Sequence, residues 1–427
     1  MKSARCSASY IAGAMLGALI ALTACGERGS SDVDAAREPI ALGTWRGTLA
    51  LPGGEAPFGF EIAREAGAYV IYLKNGAERV RVREVNVQNG ALTANMPGFA
   101  HRLEARIDEG RLHGSLTMVK REGKEQAIPF AATQGASYRF FPKPTTDNAD
   151  VSGRWKVTFT DDKRKPTPAV AEFRQSGSEV TGTFPAPTGD HRFLAGEMRG
   201  DELFLSTFDG GHAYLYRARV LTNGELAGTY WSGLAWQESF VATRDAEASL
   251  GDAARVTAMR AGATRLEFTF PDLDGKRISL ADPQFAGKVV VVALAGSWCP
   301  NCHDEAAFLA PWYLRNRDRG LEVVSLMFEQ FGDFSRAAAA TRRFRDAFGI
   351  EYTTLIAGVS DKDDAATRLP QLNGVFAFPT TLFLDRRGTV RFIHTGFSGP
   401  ATGAHHRTLI EEFEANLEQL IAERPVT

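Results

Sequence analysis

Two cysteines separated by two residues sit where the apolar run Val289 to Leu294 gives way to a helical pattern, in Trp298-Cys299-Pro300-Asn301-Cys302. Two thiols at this spacing can close into a small disulfide, which is the chemistry of thiol–disulfide exchange. A helix starting at the first cysteine aims unpaired backbone N–H groups and the positive end of its dipole at that sulfur, which stabilises a thiolate. Cys299 is therefore the expected nucleophile and Cys302 the thiol that resolves a mixed disulfide. Glu305 lies three residues further along the same helix, on the face of Cys302, where it is placed to take the second thiol's proton. The mature sequence has no second cysteine pair to complete a four-ligand zinc site, so neither a metal nor a cofactor is expected. His303 reads as a partly exposed helix histidine, His405 and His406 as surface residues, and Arg342, Arg343 and Arg345 as the solvated face of a helix.

The elements that must position this dithiol occupy a chain of 427 residues, long enough for two or three separate cores. A formal net charge of −2, with acidic and basic residues interspersed, leaves no basic patch of the kind that holds a phosphate backbone, so nucleic acid is not an expected partner. Residues 1–25 read as a targeting segment: Lys2 and Arg5 form a charged start, an apolar stretch follows from Ile11, and small residues precede Cys25. That stretch falls short of the roughly 20 residues needed to span a bilayer. Leu22-Thr23-Ala24-Cys25-Gly26 resembles the lipobox of bacterial lipoproteins, which implies lipidation of Cys25 and loss of Cys6 with the signal. An exported protein is free to use structural disulfides, yet Cys299 and Cys302 are then the only thiols left. Exchange must take place with another molecule.

Residues 26–40 have the composition of a flexible tether. Residues 41–141 and 150–245 alternate polar and apolar side chains in short segments, with Asn-Gly turns at Asn75, Asn89 and Asn223. Gly43-Thr44-Trp45 opens the first block and Gly153-Arg154-Trp155 the second, an echo that predicts two related antiparallel barrels or sandwiches. Residues 246–264, rich in Ala and Arg at helical spacing, read as a linker. From 265 to 424 strands alternate with helices: the buried strand before the dithiol, a strand at Leu321 to Phe328, helices near Phe334–Phe348 and Asp361–Arg368, a hairpin turning at Asp385–Gly388, and an amphipathic helix from Arg407 to Ala422. The predicted fold class is multidomain, all-β followed by α/β.

That final order resembles the thioredoxin fold, and in detail the TlpA/ResA-like thiol-disulfide oxidoreductases. The match rests on Phe270-Pro271-Asp272-Leu273-Asp274-Gly275-Lys276, Gly287-Lys288, Trp298-Cys299 with Cys302, Glu305, and Phe378-Pro379-Thr380-Thr381-Leu382-Phe383-Leu384-Asp385. The resemblance implies that Pro379 is a cis-proline packed on the dithiol, and that Trp298, Phe378, Pro379 and Thr380 line the substrate groove. It also implies a periplasm-facing, membrane-anchored enzyme that reduces disulfides in client proteins and is itself reduced by a thiol donor at the inner membrane. The chain departs from the pattern at three places. Pro300-Asn301 has its proline after the first cysteine, as in DsbA and the glutaredoxins; Ala293 stands where thioredoxin has a buried aspartate; and Ala307 replaces a helix proline, which arrives one turn later as Pro311. Two other readings compete. One is a thiol peroxidase of peroxiredoxin type, whose threonine three residues before the reactive cysteine is here Gly296. The other is a thioredoxin-like protein that delivers a metal or docks a partner through its β region.

Overall fold

The alternating segments of the first two blocks fold as strands, as their pattern dictates. Arg102–Asp108, for example, buries Leu103 and Ala105 and leaves Arg102, Glu104 and Arg106 exposed. The computed structural model describes residues 39–251 and 256–423; the targeting segment, Cys25 and nearly all of the tether lie outside them. Nine antiparallel strands between Gly43 and Gln134 form one sheet, in which the first, Gly43–Leu51, pairs with both its successor and the last, Glu125–Gln134. Between Gly153 and Arg244 eight strands close into a barrel. The internal echo is structural: Gly43 and Gly153 adopt φ of +100° and +101°, which a side chain would disfavour. Two residues on, Trp45 and Trp155 are fully buried, each donating its indole N–H to the carbonyl four residues earlier, Ala41 at 3.1 Å and Val151 at 2.9 Å.

The two β units share a core. Phe208, Ala213 and Leu215 of the barrel pack into the first sheet's apolar cluster, with Phe58 and Phe208 ring centroids 4.8 Å apart. Buried Asn75 acts as a strand would, its side chain bonding the N–H and the carbonyl of Phe208.

Numbered from the start of the last domain, β1 (Val289–Ala295) is buried at every position, as a central strand covered on both faces must be. It is followed by α1 (Pro300–Asn316), β2 (Leu321–Glu329), α2 (Phe334–Phe348), β3 (Thr353–Val359), α3 (Lys362–Arg368), β4 (Thr380–Leu384), β5 (Val390–Thr395) and α4 (Ala404–Ala422). The sheet order is β3-β2-β1-β4-β5, with β1, β2 and β3 parallel and β4 antiparallel to both neighbours. A two-stranded ribbon, Thr269–Pro271 with Arg277–Ser279, precedes it. Pro311 lies inside α1 without ending it.

Two features differ from the sequence reading. β3 was not foreseen. The described part of the 246–264 linker contains no helix; Thr257 instead donates its N–H to Thr395 Oγ1 and Met259 bridges Leu372, so tertiary pairing overrides the helical spacing. The β units also pack directly on the last domain: Val119 joins Phe331, Ala337 and Ala340, and Arg121 pairs with Asp361. Among the described residues no helix is long and apolar enough to cross a membrane.

Candidate active site

The turn from β1 into α1 is tied to the end of β2. Glu329, fully buried, accepts hydrogen bonds from the Ser297 N–H (3.0 Å), the Ser297 hydroxyl (2.7 Å) and Thr341 Oγ1 (3.1 Å). Trp298 donates its indole N–H to the Phe328 carbonyl at 2.7 Å. The chain so held delivers Cys299 to the N-cap of α1, where its sulfur accepts the Cys302 N–H at 3.3 Å. A sulfur in this position receives one of the helix's unpaired donors. Pro300 occupies the first helical position, where its missing N–H costs nothing.

Across the site the Phe378–Pro379 bond is cis, and the Phe378 carbonyl accepts the Cys299 thiol at 3.3 Å. Trp298 and Phe378 meet edge to face with centroids 5.8 Å apart. The four residues expected to line a groove therefore divide. Trp298, Phe378 and Pro379 gather around the sulfur, whereas Thr380 is fully buried and closes its own turn by donating to the Ala377 carbonyl.

Cys302, one turn on from Cys299, is fully buried. Burial pushes its thiol well up, and the hydrogen bond and charge of Cys299 and the charge of Glu305 push it further. Glu305 is 1 % exposed and is pushed up to about 8 by burial, with a hydrogen bond from the Thr381 hydroxyl pulling the other way. Thr381 sits directly opposite Ala293 in the ladder, so its side chain projects on the same face of the sheet. The carboxyl missing at Ala293 is thus replaced, over that face, by one from α1.

The outward side of α1's first turn is also buried, which corrects the reading of His303. Its ring stacks on Phe99 at 3.8 Å and bonds the Ser297 carbonyl at 2.7 Å, and burial pushes it down to about 3, so it is neutral. Asp304 pairs with Arg192 of the barrel, which also binds Asp209 at 3.0 Å and Glu78 of the first sheet at 2.7 Å. Burial alone would lower the Arg192 guanidinium, but the three carboxylates hold it above its ordinary range. Glu78 in turn is pushed up to about 7, chiefly by burial. His405 is exposed, and Arg342 of the arginine cluster reaches Asp274. Glu329, Phe99 and Arg192 escaped sequence reading. Only Glu329 carried a signal, as the one acid ending an apolar strand. Among the described residues no group of three or more His, Cys, Asp or Glu side chains could hold a metal ion.

Residues 261–393 match the AhpC/TSA family. The chain is 25 % identical over 137 residues to the thiol-disulfide oxidoreductase ResA of Halalkalibacterium halodurans, covering 32 % of this chain and 69 % of that protein. It is 27 % identical over 140 residues to ResA of Geobacillus thermodenitrificans, covering 33 % and 72 %. Among solved structures, a thiol:disulfide interchange protein DsbE from Chlorobium tepidum aligns with a TM-score of 0.29 at 22 % identity, over 38 % of this chain and 99 % of that one. A DsbF homologue from Corynebacterium diphtheriae aligns with a TM-score of 0.29 at 20 % identity, over 40 % and 99 %.

Proposed function

We propose that this thiol-disulfide oxidoreductase of thioredoxin fold reduces disulfides in client proteins through Cys299, Cys302 and Glu305, facing the periplasm and held to a membrane by a lipid on Cys25. The observation that carries the catalytic reading is the placement of three buried groups on the first turns of α1: Cys299 at the N-cap beside the Phe378 carbonyl, Cys302 whose N–H bonds the Cys299 sulfur, and the Glu305 carboxyl three residues further on. The anchor and the compartment rest on the signal pattern and the sparing use of cysteine.

The Cys299 thiolate attacks a client disulfide, forming a mixed disulfide as one client sulfur leaves as thiolate. Cys302 must then lose a proton in a site that disfavours its charge. A carboxyl near pH 8 is matched to that task, because a base works best with a pKa near the operating pH. Glu305 takes the proton, Cys302 attacks the Cys299 sulfur, and the second client sulfur leaves. Two electrons have passed to the client, and the Cys299–Cys302 disulfide awaits reduction by an external thiol donor.

The test is a pair of variants. Cys299→Ser abolishes reduction, while Cys302→Ser accumulates a mixed disulfide that dithiothreitol releases; full activity in both variants refutes the reading. Direction is read from the reduction potential, expected near thioredoxin's value of about −270 mV rather than DsbA's of about −120 mV.

A further inference from the structure

One side of the dithiol is occupied by the chain itself. In the barrel, Pro185–Ala186 and Gly189–Asp190 form a short hairpin whose turn is Pro187-Thr188. Its backbone lies on the loop after β5: a Cβ on Gly396 would come within 2.9–3.2 Å of Thr188, Gly189 and Pro187 main-chain atoms. Gly396 in turn donates its N–H to the Pro379 carbonyl at 2.8 Å, so the hairpin is one residue removed from the proline beside Cys299. On the other flank Gly189, at φ +140°, has the Asn301 side chain where its own Cβ would stand. The hairpin is fixed there by buried Asp190, whose Oδ2 accepts the Gly399 N–H at 2.6 Å and whose Oδ1 accepts the Arg192 N–H at 2.7 Å. Beside the sulfur Trp298 is half-buried, and Phe376, two residues before Phe378, is 43 % exposed. Cys299 itself is only 5 % exposed.

We propose that the Pro185–Asp190 hairpin is a specificity-determining wall of the client groove. It closes the Asn301–Gly396 side, so that a disulfide reaches Cys299 only on an extended or locally unfolded segment arriving along Trp298 and Phe376. The inference rests on the thiol-disulfide reading above. Exchange requires the client sulfurs to approach the Cys299 sulfur along a defined line, and a wall packed on Asn301 and on Gly396, the residue bonded to the Pro379 carbonyl, excludes the shoulders of a folded protein while admitting a strand. Apolar side chains next to the client's cysteine fit the Trp298–Phe376 surface, where burial of an aromatic face favours association.

The experiment shortens the hairpin. Replacing Ala186-Pro187-Thr188-Gly189 by Asn-Gly closes a two-residue turn directly on the Pro185–Asp190 pair. The reduced full-length protein is mixed with folded ribonuclease A, with urea-unfolded disulfide-intact ribonuclease A returned to buffer immediately before mixing, and with 5,5′-dithiobis(2-nitrobenzoate), and single-turnover oxidation is followed. The ratio of the folded-protein rate to the small-disulfide rate is expected to rise about tenfold in the shortened variant, the scale on which a pocket wall discriminates. Unfolded ribonuclease should outrun folded ribonuclease in the wild type by a similar factor. An unchanged ratio overturns the proposal while leaving the thiol-disulfide reading intact; a wild type inert to all three disulfides overturns that reading itself. Should the shortened barrel not fold, Gly189→Ala, whose methyl must displace either the Asn301 amide or the hairpin, carries the same ratio test.

Discussion

Glu305 offers a test in which stability, not turnover, reports the chemistry. Its carboxyl titrates near 8 in the fold because burial disfavours its charge, against about 4.5 for an unperturbed glutamate. Between those values the folded state binds the proton that the unfolded chain has released, so stability falls as pH rises, by about 1.4 kcal/mol per unit. The contribution is complete below pH 4.5 and lost through pH 8. Glu305→Gln keeps the shape and an oxygen to accept the Thr381 hydroxyl, but cannot ionise. The gap between variant and wild type is therefore expected to open in the variant's favour by about 2–3 kcal/mol from pH 5 to pH 7. Other titrating groups, Glu78 and Asp190 among them, are common to both proteins and cancel in the difference. Cys302, with its thiol pushed well up, stays neutral across this window. Urea unfolding of the reduced proteins, followed by tryptophan fluorescence at several pH values, measures the gap, and an isotope-edited infrared titration of the carboxyl locates the midpoint directly. A gap that does not vary with pH, or a midpoint in the ordinary carboxylate range, refutes the argument and removes Glu305 as a base matched to Cys302.

Arg192→Met leaves Glu78, Asp209 and Asp304 buried without their shared cation, and is expected to cost about 3–5 kcal/mol. The deficit should shrink as pH falls from 8 to 6 and Glu78, pushed up to about 7, takes up its proton; a deficit independent of pH in urea unfolding speaks against the cluster. Ser297→Ala removes one of the bonds that Glu329 accepts at the turn into α1, at a cost of about 1–2 kcal/mol, with hydrogen exchange accelerating at residues 296–299; unchanged exchange there means the carboxylate does not hold the turn. Trp45→Ala and Trp155→Ala vacate equivalent fully buried sites and should each cost about 3–5 kcal/mol in the same denaturation assay, whereas a loss under about 1 kcal/mol at either site contradicts its place in the core.

The parts of this molecule that sequence reveals are those whose cause is local. Seven consecutive buried residues in β1, the paired Gly-x-Trp openings and the Asn-Gly turns each carry their reason within a few positions. β3 escaped because its burial pattern keeps neither strict alternation nor a continuous run, and its pairing with β2 breaks register at Met327 and Phe328. The alanine-rich linker misled for the opposite reason: a clear helical spacing lost to pairing with Leu372 and Thr395, more than a hundred residues away. At the site, Cys299, Cys302 and Glu305 were legible because helix spacing alone puts them together. His303 was misread as partly exposed since nothing near it in sequence announces that Phe99, two hundred residues earlier, covers it.

The order Pro300-Asn301 can now be understood from both of its neighbours. By resemblance it aligns the motif with oxidases, on the view that the two inner residues answer only to the sulfurs. Here residue 301 also answers to the barrel. Its amide stands where a Cβ on Gly189 would be, and a proline at that position would set a rigid ring against the hairpin backbone. Placing the proline at 300 instead puts it at the first helical position, where it is tolerated without loss of a hydrogen bond. The dipeptide therefore satisfies a packing constraint that a free-standing thioredoxin domain does not have, and its order is weak grounds for assigning an oxidase. It follows that exchanging residues 300 and 301 should alter potential and client preference together. Gly189→Ala, which leaves the dipeptide's chemistry intact, should alter client preference while holding the potential.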